Sequence, residues 1–424
     1  MSEANAFTLL FVLLLAAGML VQLLLATRQT RHVQANRAQV PPEHAAHINL
    51  AEHQKAADYT VAKGQLGIVE LALGTAVLLG WTMLGGLHWL NSSLLAFWGA
   101  GLWQQVGLVL AFMAIGAAMD LPLSLYSTFV VEERFGFNKT SFKLWLVDAV
   151  KGLVLSAVLL VPLLAAVLWL MAAAGALWWL WAWGLLVGFQ VFLMAIAPNV
   201  IMPLFNKFTP LEDESLKART QALMQRCGFA AKGFFVMDGS KRSAHSNAFF
   251  TGFGSSKRVV FFDTLLAKLS ADELEAVLAH ELGHFKHRHI IKRMFTGFVM
   301  TGAGLALLGY LSNQAWFYTG LGVRPSLDSA NHALALLLFL LAVPVFTFFV
   351  SPWSSHKSRK DEYQADAYAA GVSQAAALKT ALLKLYRDNA STLTPDPWYS
   401  AWYHSHPSAS QRLARLDTFA KVAA

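Results

Sequence analysis

Residues 6–26 read AFTLLFVLLLAAGMLVQLLLA, an apolar run with no charged residue. As a helix, a run of about 20 such residues crosses the roughly 30 Å hydrocarbon core of a bilayer. Six more blocks of similar character follow, at Leu66–Leu87, Val106–Leu125, Leu153–Ala172, Leu177–Ile196, Met294–Leu311 and Ala333–Val350. Composition agrees: 56% of the 424 residues are hydrophobic and 14% charged, against roughly 25% charged in an average soluble domain. A disordered chain is excluded, and the expected fold is a mainly α, seven-transmembrane-helix bundle.

The leader Met1–Asn5 contains Glu3 and no Lys or Arg, so the first span is expected to be retained, not cleaved as a signal peptide. All 33 basic residues except Arg324 lie in the connections after spans 1, 3, 5 and 7. The positive-inside tendency then puts the N-terminus outside and those connections in the cytoplasm, which requires an odd number of spans. The formal charge of +8 thus reads as topology and attraction to the anionic lipid bilayer. No basic-aromatic module is visible, and no nucleic-acid partner is expected.

Four segments follow: residues 1–204 as an N-terminal membrane domain, 205–293 as the first half of a cytoplasmic α/β domain, 294–350 as spans 6 and 7, and 351–424 as the second half. Strands are expected at Gly233–Asp238, Asn247–Gly252 and Arg258–Asp263, after a helix over Ser215–Cys227. Trp178, Trp179, Trp181 and Trp183 read as an interfacial aromatic belt. Glu70 and Asp120 fall within spans, where acids face a bundle interior, a cavity or the interface. The single cysteine, Cys227, rules out an intramolecular disulfide and a cysteine-based zinc site. It reads as a small buried hydrophobe, and any metal must be held by His and carboxylate.

Chemistry concentrates in the first cytoplasmic region. Ser270 to Glu273 forms an S-x-x-E capping box, and the helix it starts carries His280-Glu281-Leu282-Gly283-His284. On a helix, i and i+4 lie one above the other, so both imidazoles can lean onto one metal ion. Glu281 points to the adjoining side, where it can take a proton from metal-activated water. A catalytic zinc wants a third protein ligand. His287 lies about 10.5 Å along the axis from His280, too far for one tetrahedral ion; His287 and His289 read as flanking residues. Glu362 is the better candidate. It and Asp366 are like charges at i and i+4, a pairing that weakens a solvated helix and that a cation would reverse. Asp366 can accept the free ring N–H of His280. A third cluster, His404-Ser405-His406-Pro407 with Arg412, offers an imidazole for a developing oxyanion, with a structural loop as the alternative.

These motifs resemble the integral-membrane CaaX prenyl protease type 1 family of gluzincin metallopeptidases. The resemblance extends over the whole chain through the seven spans, H-E-L-G-H at His280–His284, S-R-x-x-E-Y-Q-A-D at Ser358–Asp366, H-P with Arg412 six residues after His406, and Asn247-Ala248-Phe249. It implies a bundle around a water-filled chamber capped by an α/β gluzincin domain. It also implies one zinc per chain on His280, His284 and Glu362, with Glu281 as base and Asp366 behind the ligands. His406 and Arg412 would lie near the reacting carbonyl, and a peptide or protein substrate, prenylated or not, would add as a strand beside Asn247, Ala248 and Phe249. Removal of the C-terminal aaX tripeptide and quality-control proteolysis of membrane proteins are the implied activities.

The tail Lys421-Val422-Ala423-Ala424 is not a KDEL-type signal, and the short connections suggest a bacterial inner-membrane member, or the ER membrane if eukaryotic. Two rivals differ in class. A protease cutting inside the bilayer would place its motif in an apolar span, whereas Asp272, Glu273 and Glu275 precede this one. A non-proteolytic seven-span transporter or zinc-regulated receptor would bind zinc without cleaving peptides.

Overall fold

In hydrocarbon, each backbone N–H must be satisfied within its own segment, so long apolar runs fold as helices. The computed structural model describes residues 1–230, 233–251, 258–326 and 329–422. Its first part contains α1 (Glu3–Ala35), α2 (Leu50–Trp81), α3 (Gly86–Trp98), α4 (Leu102–Tyr126), α5 (Phe142–Ala173) and α6 (Trp178–Ile196). A mixed segment follows: α7 (Met202–Phe205), β1 (Phe208–Pro210), α8 (Glu214–Arg226), β2 (Gly233–Met237), β3 (Ala248–Thr251), β4 (Arg258–Phe262), α9 (Asp263–Leu266) and α10 (Ala271–Lys286). Then come α11 (His289–Leu311), α12 (Ala315–Thr319), α13 (His332–Thr347), α14 (Ser351–Val372), α15 (Ala375–Asp388), α16 (Pro397–Tyr403) and α17 (Ala409–Val422). Among the described residues, seven helices are long and apolar enough to cross a membrane, built on α1, α2, α4, α5, α6, α11 and α13.

The apolar windows mark these helices but not their ends. The second expected span runs to Leu87, yet α2 stops at Trp81; Gly85, at φ 77°, turns the chain into α3, a helix the sequence reading does not separate. At its other end α2 begins at Leu50, where the Asn49 and Glu52 side chains cap each other's backbone amides. The tryptophan reading also needs correction. Gly302 and Gly309 of α11 leave room for the rings of Trp183 and Trp179, the Trp183 indole donates to the Phe298 carbonyl at 2.8 Å, and Trp178 is buried. Three of the four rings therefore pack inside the bundle, and Trp181 stays exposed. Glu70 and Asp120 are both exposed.

The sheet order is β1-β2-β4-β3, with β2 and β4 parallel and both outer pairs antiparallel. The three expected strands form. Gly252, the expected end of the second, lies outside the described residues, as do Ala423 and Ala424 of the tail. β1 is an addition. Leu274, Leu278 and Leu282 repeat every four residues along α10 and bury one face in the core with Val259 and Phe261 of β4.

On another face α10 meets α14 through small residues. Ala279, Ala365 and Ala369 are fully buried, and a Cβ added at Gly283 would stand 2.9 Å from the Ala365 Cα and 3.0 Å from its carbonyl oxygen. Ion pairs tie this lobe to the membrane helices: Arg242 forks onto Asp148 of α5 at 2.8 and 3.0 Å, and Arg28 of α1 reaches Asp396, the cap of α16, at 3.0 Å. Gly283→Ala must spread α10 from α14 and is expected to lower stability by about 1–3 kcal/mol. Gly371→Ala, on the same α14 with open space around it, is the control. Thermal unfolding in detergent checks this: only the first variant should melt earlier.

Candidate active site

The Ser270–Glu273 box caps α10 as expected, Glu273 accepting from the Ser270 amide at 2.7 Å. From that start the helix carries His280 and His284 one above the other, their Nε2 atoms 3.3 Å apart. Across the Gly283–Ala365 contact, α14 presents Glu362. One of its oxygens lies 3.4 Å from His280 Nε2 and the other 3.4 Å from His284 Nε2. Glu362 is 3% exposed, and its Oε2 has no hydrogen-bond partner. Three donor groups from two distant stretches thus face one point, the only such group among the described residues that could hold a metal ion.

Around them the polar groups are ordered. Asp366, fully buried one turn after Glu362, lies 2.9 Å from His280 Nδ1. Arg412 of α17, also buried, forks onto Asp366 with Nε at 2.9 Å and Nη2 at 2.5 Å. Burial alone would lower the Arg412 pKa, but the bonds to Asp366 outweigh it and raise it above the usual value. Burial likewise opposes a charge on His280, yet Asp366 and Glu362 push its pKa up to about 9. Burial raises the Glu281 carboxyl above the ordinary carboxylate range, while His280 and His284 pull the other way. With His280 protonated beside Arg412, the acids Glu281, Glu362 and Asp366 still outnumber the cations by one, and a divalent cation that displaces the His280 proton would offset the surplus. Buried charge left unpaired is expensive.

His406 Nε2 approaches Glu362 to 3.4 Å. The loop that carries it is held by the Tyr386 hydroxyl, which donates to the Pro407 carbonyl at 3.2 Å. Glu281, His406 and Arg412 line a chamber of about 1060 Å³ whose far wall is α1 and α2, through residues such as Gln22, Gly64 and Gly67. β3 is an edge strand of the sheet, and Asn247 and Ala248 reach the same chamber. Phe249 turns to the other face of the strand, its ring edge-on to Phe262 at 6.1 Å.

His289 lies outside the donor cluster, yet it is not a solvated flank. It is 1% exposed, its Nδ1 is 3.0 Å from His284 Nδ1, and its Nε2 is 2.9 Å from Gln364 Oε1. Helical spacing does not bring residues five apart together; the join does. α10 ends at Lys286, Arg288 takes φ 56°, ψ 33°, and α11 restarts at His289. His287, at the turn, remains outside the donor cluster.

The chain is similar to known proteins in sequence and fold. Residues 29–207 match the family description "CAAX prenyl protease N-terminal, five membrane helices", and residues 210–420 match Peptidase family M48. CAAX prenyl protease 1 of Saccharomyces cerevisiae is 38% identical over 316 residues, covering 72% of this chain and 70% of its own. The human CAAX prenyl protease 1 homolog is 30% identical, covering 93% and 92%. The crystal structure of S. mikatae Ste24p superposes with a TM-score of 0.89 at 32% identity, over 97% of this chain and 99% of that one. The chain belongs to Peptidase family M48 and is an integral-membrane metalloendopeptidase.

Proposed function

We propose that this chain is a zinc endopeptidase that cuts peptide bonds within its chamber, at the cytoplasmic face of the membrane. The observation that carries the proposal is the set of donor separations, 3.3, 3.4 and 3.4 Å, beside the chamber-lining Glu281. A tetrahedron with metal–ligand bonds of about 2.1 Å has edges of about 3.4 Å. His280, His284 and Glu362 would hold the ion. Zinc bound there supplies Lewis acidity and lets water ionise near neutral pH.

The chain's own residues divide the remaining work. Glu281 takes the proton from the attacking water and returns it to the leaving amine; its raised pKa strengthens it as an acceptor. His406 donates toward the negative charge growing on the former carbonyl oxygen. Asp366 holds His280 in the tautomer that leaves Nε2 bare, and Arg412 fixes Asp366 from behind. An extended substrate adds along β3 at Asn247 and Ala248, gaining main-chain hydrogen bonds that do not depend on its side chains; Phe249 supports the strand from its other face.

The domain that does this is assembled from residues 205–293 and 351–424, interrupted by spans 6 and 7. The basic residues support a seven-span topology with the N-terminus outside and the protease domain cytoplasmic. The relatives' names support a prenylated C-terminus as substrate. Damaged or misassembled membrane proteins are the corresponding substrates if the chain resides in a bacterial inner membrane.

Glu281→Gln should keep its zinc, measured by elemental analysis of the purified protein, and lose about 10²–10⁴-fold in peptide cleavage; normal turnover would refute the base assignment. Glu362→Ala should lower zinc content, and unchanged content would overturn Glu362 as the third ligand. Farnesylated CaaX peptides should be cut faster than unmodified ones, with chelator abolishing and zinc restoring cleavage. Equal rates would favour the quality-control reading.

A further inference from the structure

Two imidazoles in one donor set need the same tautomer, with Nε2 bare and the hydrogen on Nδ1. For His280 a carboxylate, Asp366, enforces it. His284 has no carboxylate at Nδ1; it has His289 at 3.0 Å. We propose that His289 is a positioning residue that fixes the tautomer and ring plane of His284, an assignment that rests on His284 being a metal ligand.

The hydrogen bonds determine one another in sequence. At its outer end His289 Nε2 meets the Gln364 carbonyl oxygen at 2.9 Å and Asp361 Oδ1 at 3.6 Å. Both only accept, so Nε2 carries the hydrogen. His289 Nδ1 is then bare and accepts from His284 Nδ1–H, which leaves His284 Nε2 free to face Glu362. Asp361 is itself held by Arg293 at 3.1 Å, so the acceptor end is anchored to α11 as well as α14.

The backbone supports the same reading. Arg288 is one of two non-glycine residues with positive φ among those described, a left-handed conformation that is unfavourable for a residue with a Cβ. That turn ends α10 and restarts the chain as α11, carrying His289 back onto His284. A first turn of a membrane-length helix thereby braces the catalytic helix, and Gln364, between Glu362 and Asp366 on α14, completes the brace from the side that supplies the third donor.

The test uses the full-length protein in detergent, with the zinc dissociation constant measured by chelator competition and the melting temperature measured on the metal-free form. His289→Leu, similar in bulk but without an acceptor, should bind zinc about 10–100-fold more weakly with the metal-free melting temperature unchanged. His289→Asn, whose side-chain oxygen can occupy the place of Nδ1, should recover most of that affinity. Glu362→Ala runs in parallel. If it binds zinc normally, the ligand set is wrong and the proposal falls with it. If Glu362→Ala weakens binding and His289→Leu does not, or if His289→Asn restores nothing, the ligand set stands and the positioning role is overturned.

Discussion

Where α10 crosses α14, Gly283 lies against the backbone of Ala365 with no side chain between them. That contact sets the separation of the two helices, and through it the distance from Glu362 to His280 and His284. Side chains of Glu and His reach only so far; a methyl group at this crossing would hold the donors apart. The leucine face of α10 and the apolar core of the lobe fix the helix from its other side, so the crossing cannot adjust by rolling. The site is accurate because its helices are packed to backbone contact on one face and into a hydrophobic core on the other.

The same packing creates an electrostatic problem. It buries Glu362, Asp366 and Arg412 within a few ångströms of one another. Arg412 answers Asp366 with two charge-assisted bonds, but Glu362 keeps an oxygen without any hydrogen-bond donor. Folding has assembled a binding site for positive charge at the cost of some stability. Each imidazole is turned toward that point by a different acceptor, a carboxylate behind His280 and a neutral ring behind His284.

Local spacing made half of this legible. His280, Glu281 and His284 are placed by helical periodicity alone, and the repulsion expected between Glu362 and Asp366 on a free helix pointed to a compensating partner. His289 was not legible, because five residues do not share a helical face; only the positive φ of Arg288 brings the ring back. β1 is three residues ending in Pro210, too short for an alternating pattern. α3 continues the apolar composition of α2, and its only local marks are Gly85 and Gly86. The tryptophans of α6 look alike in sequence, yet Trp181 alone among them is exposed, and the glycines that receive Trp179 and Trp183 lie more than a hundred residues away on α11. Phe249 shares a strand with Ala248 but points the opposite way, as pleating requires.

The donor cluster is also divided in chain order. His280 and His284 come immediately before α11, and Glu362 follows only after α13. A growing polypeptide released from the ribosome up to the end of α10 owns two imidazoles and no third group to complete them. The last two apolar helices must be made, and α14 must emerge behind them, before the scissors can close. On the proposed ligand set, the donor group is therefore incomplete until nearly the whole membrane bundle has been made.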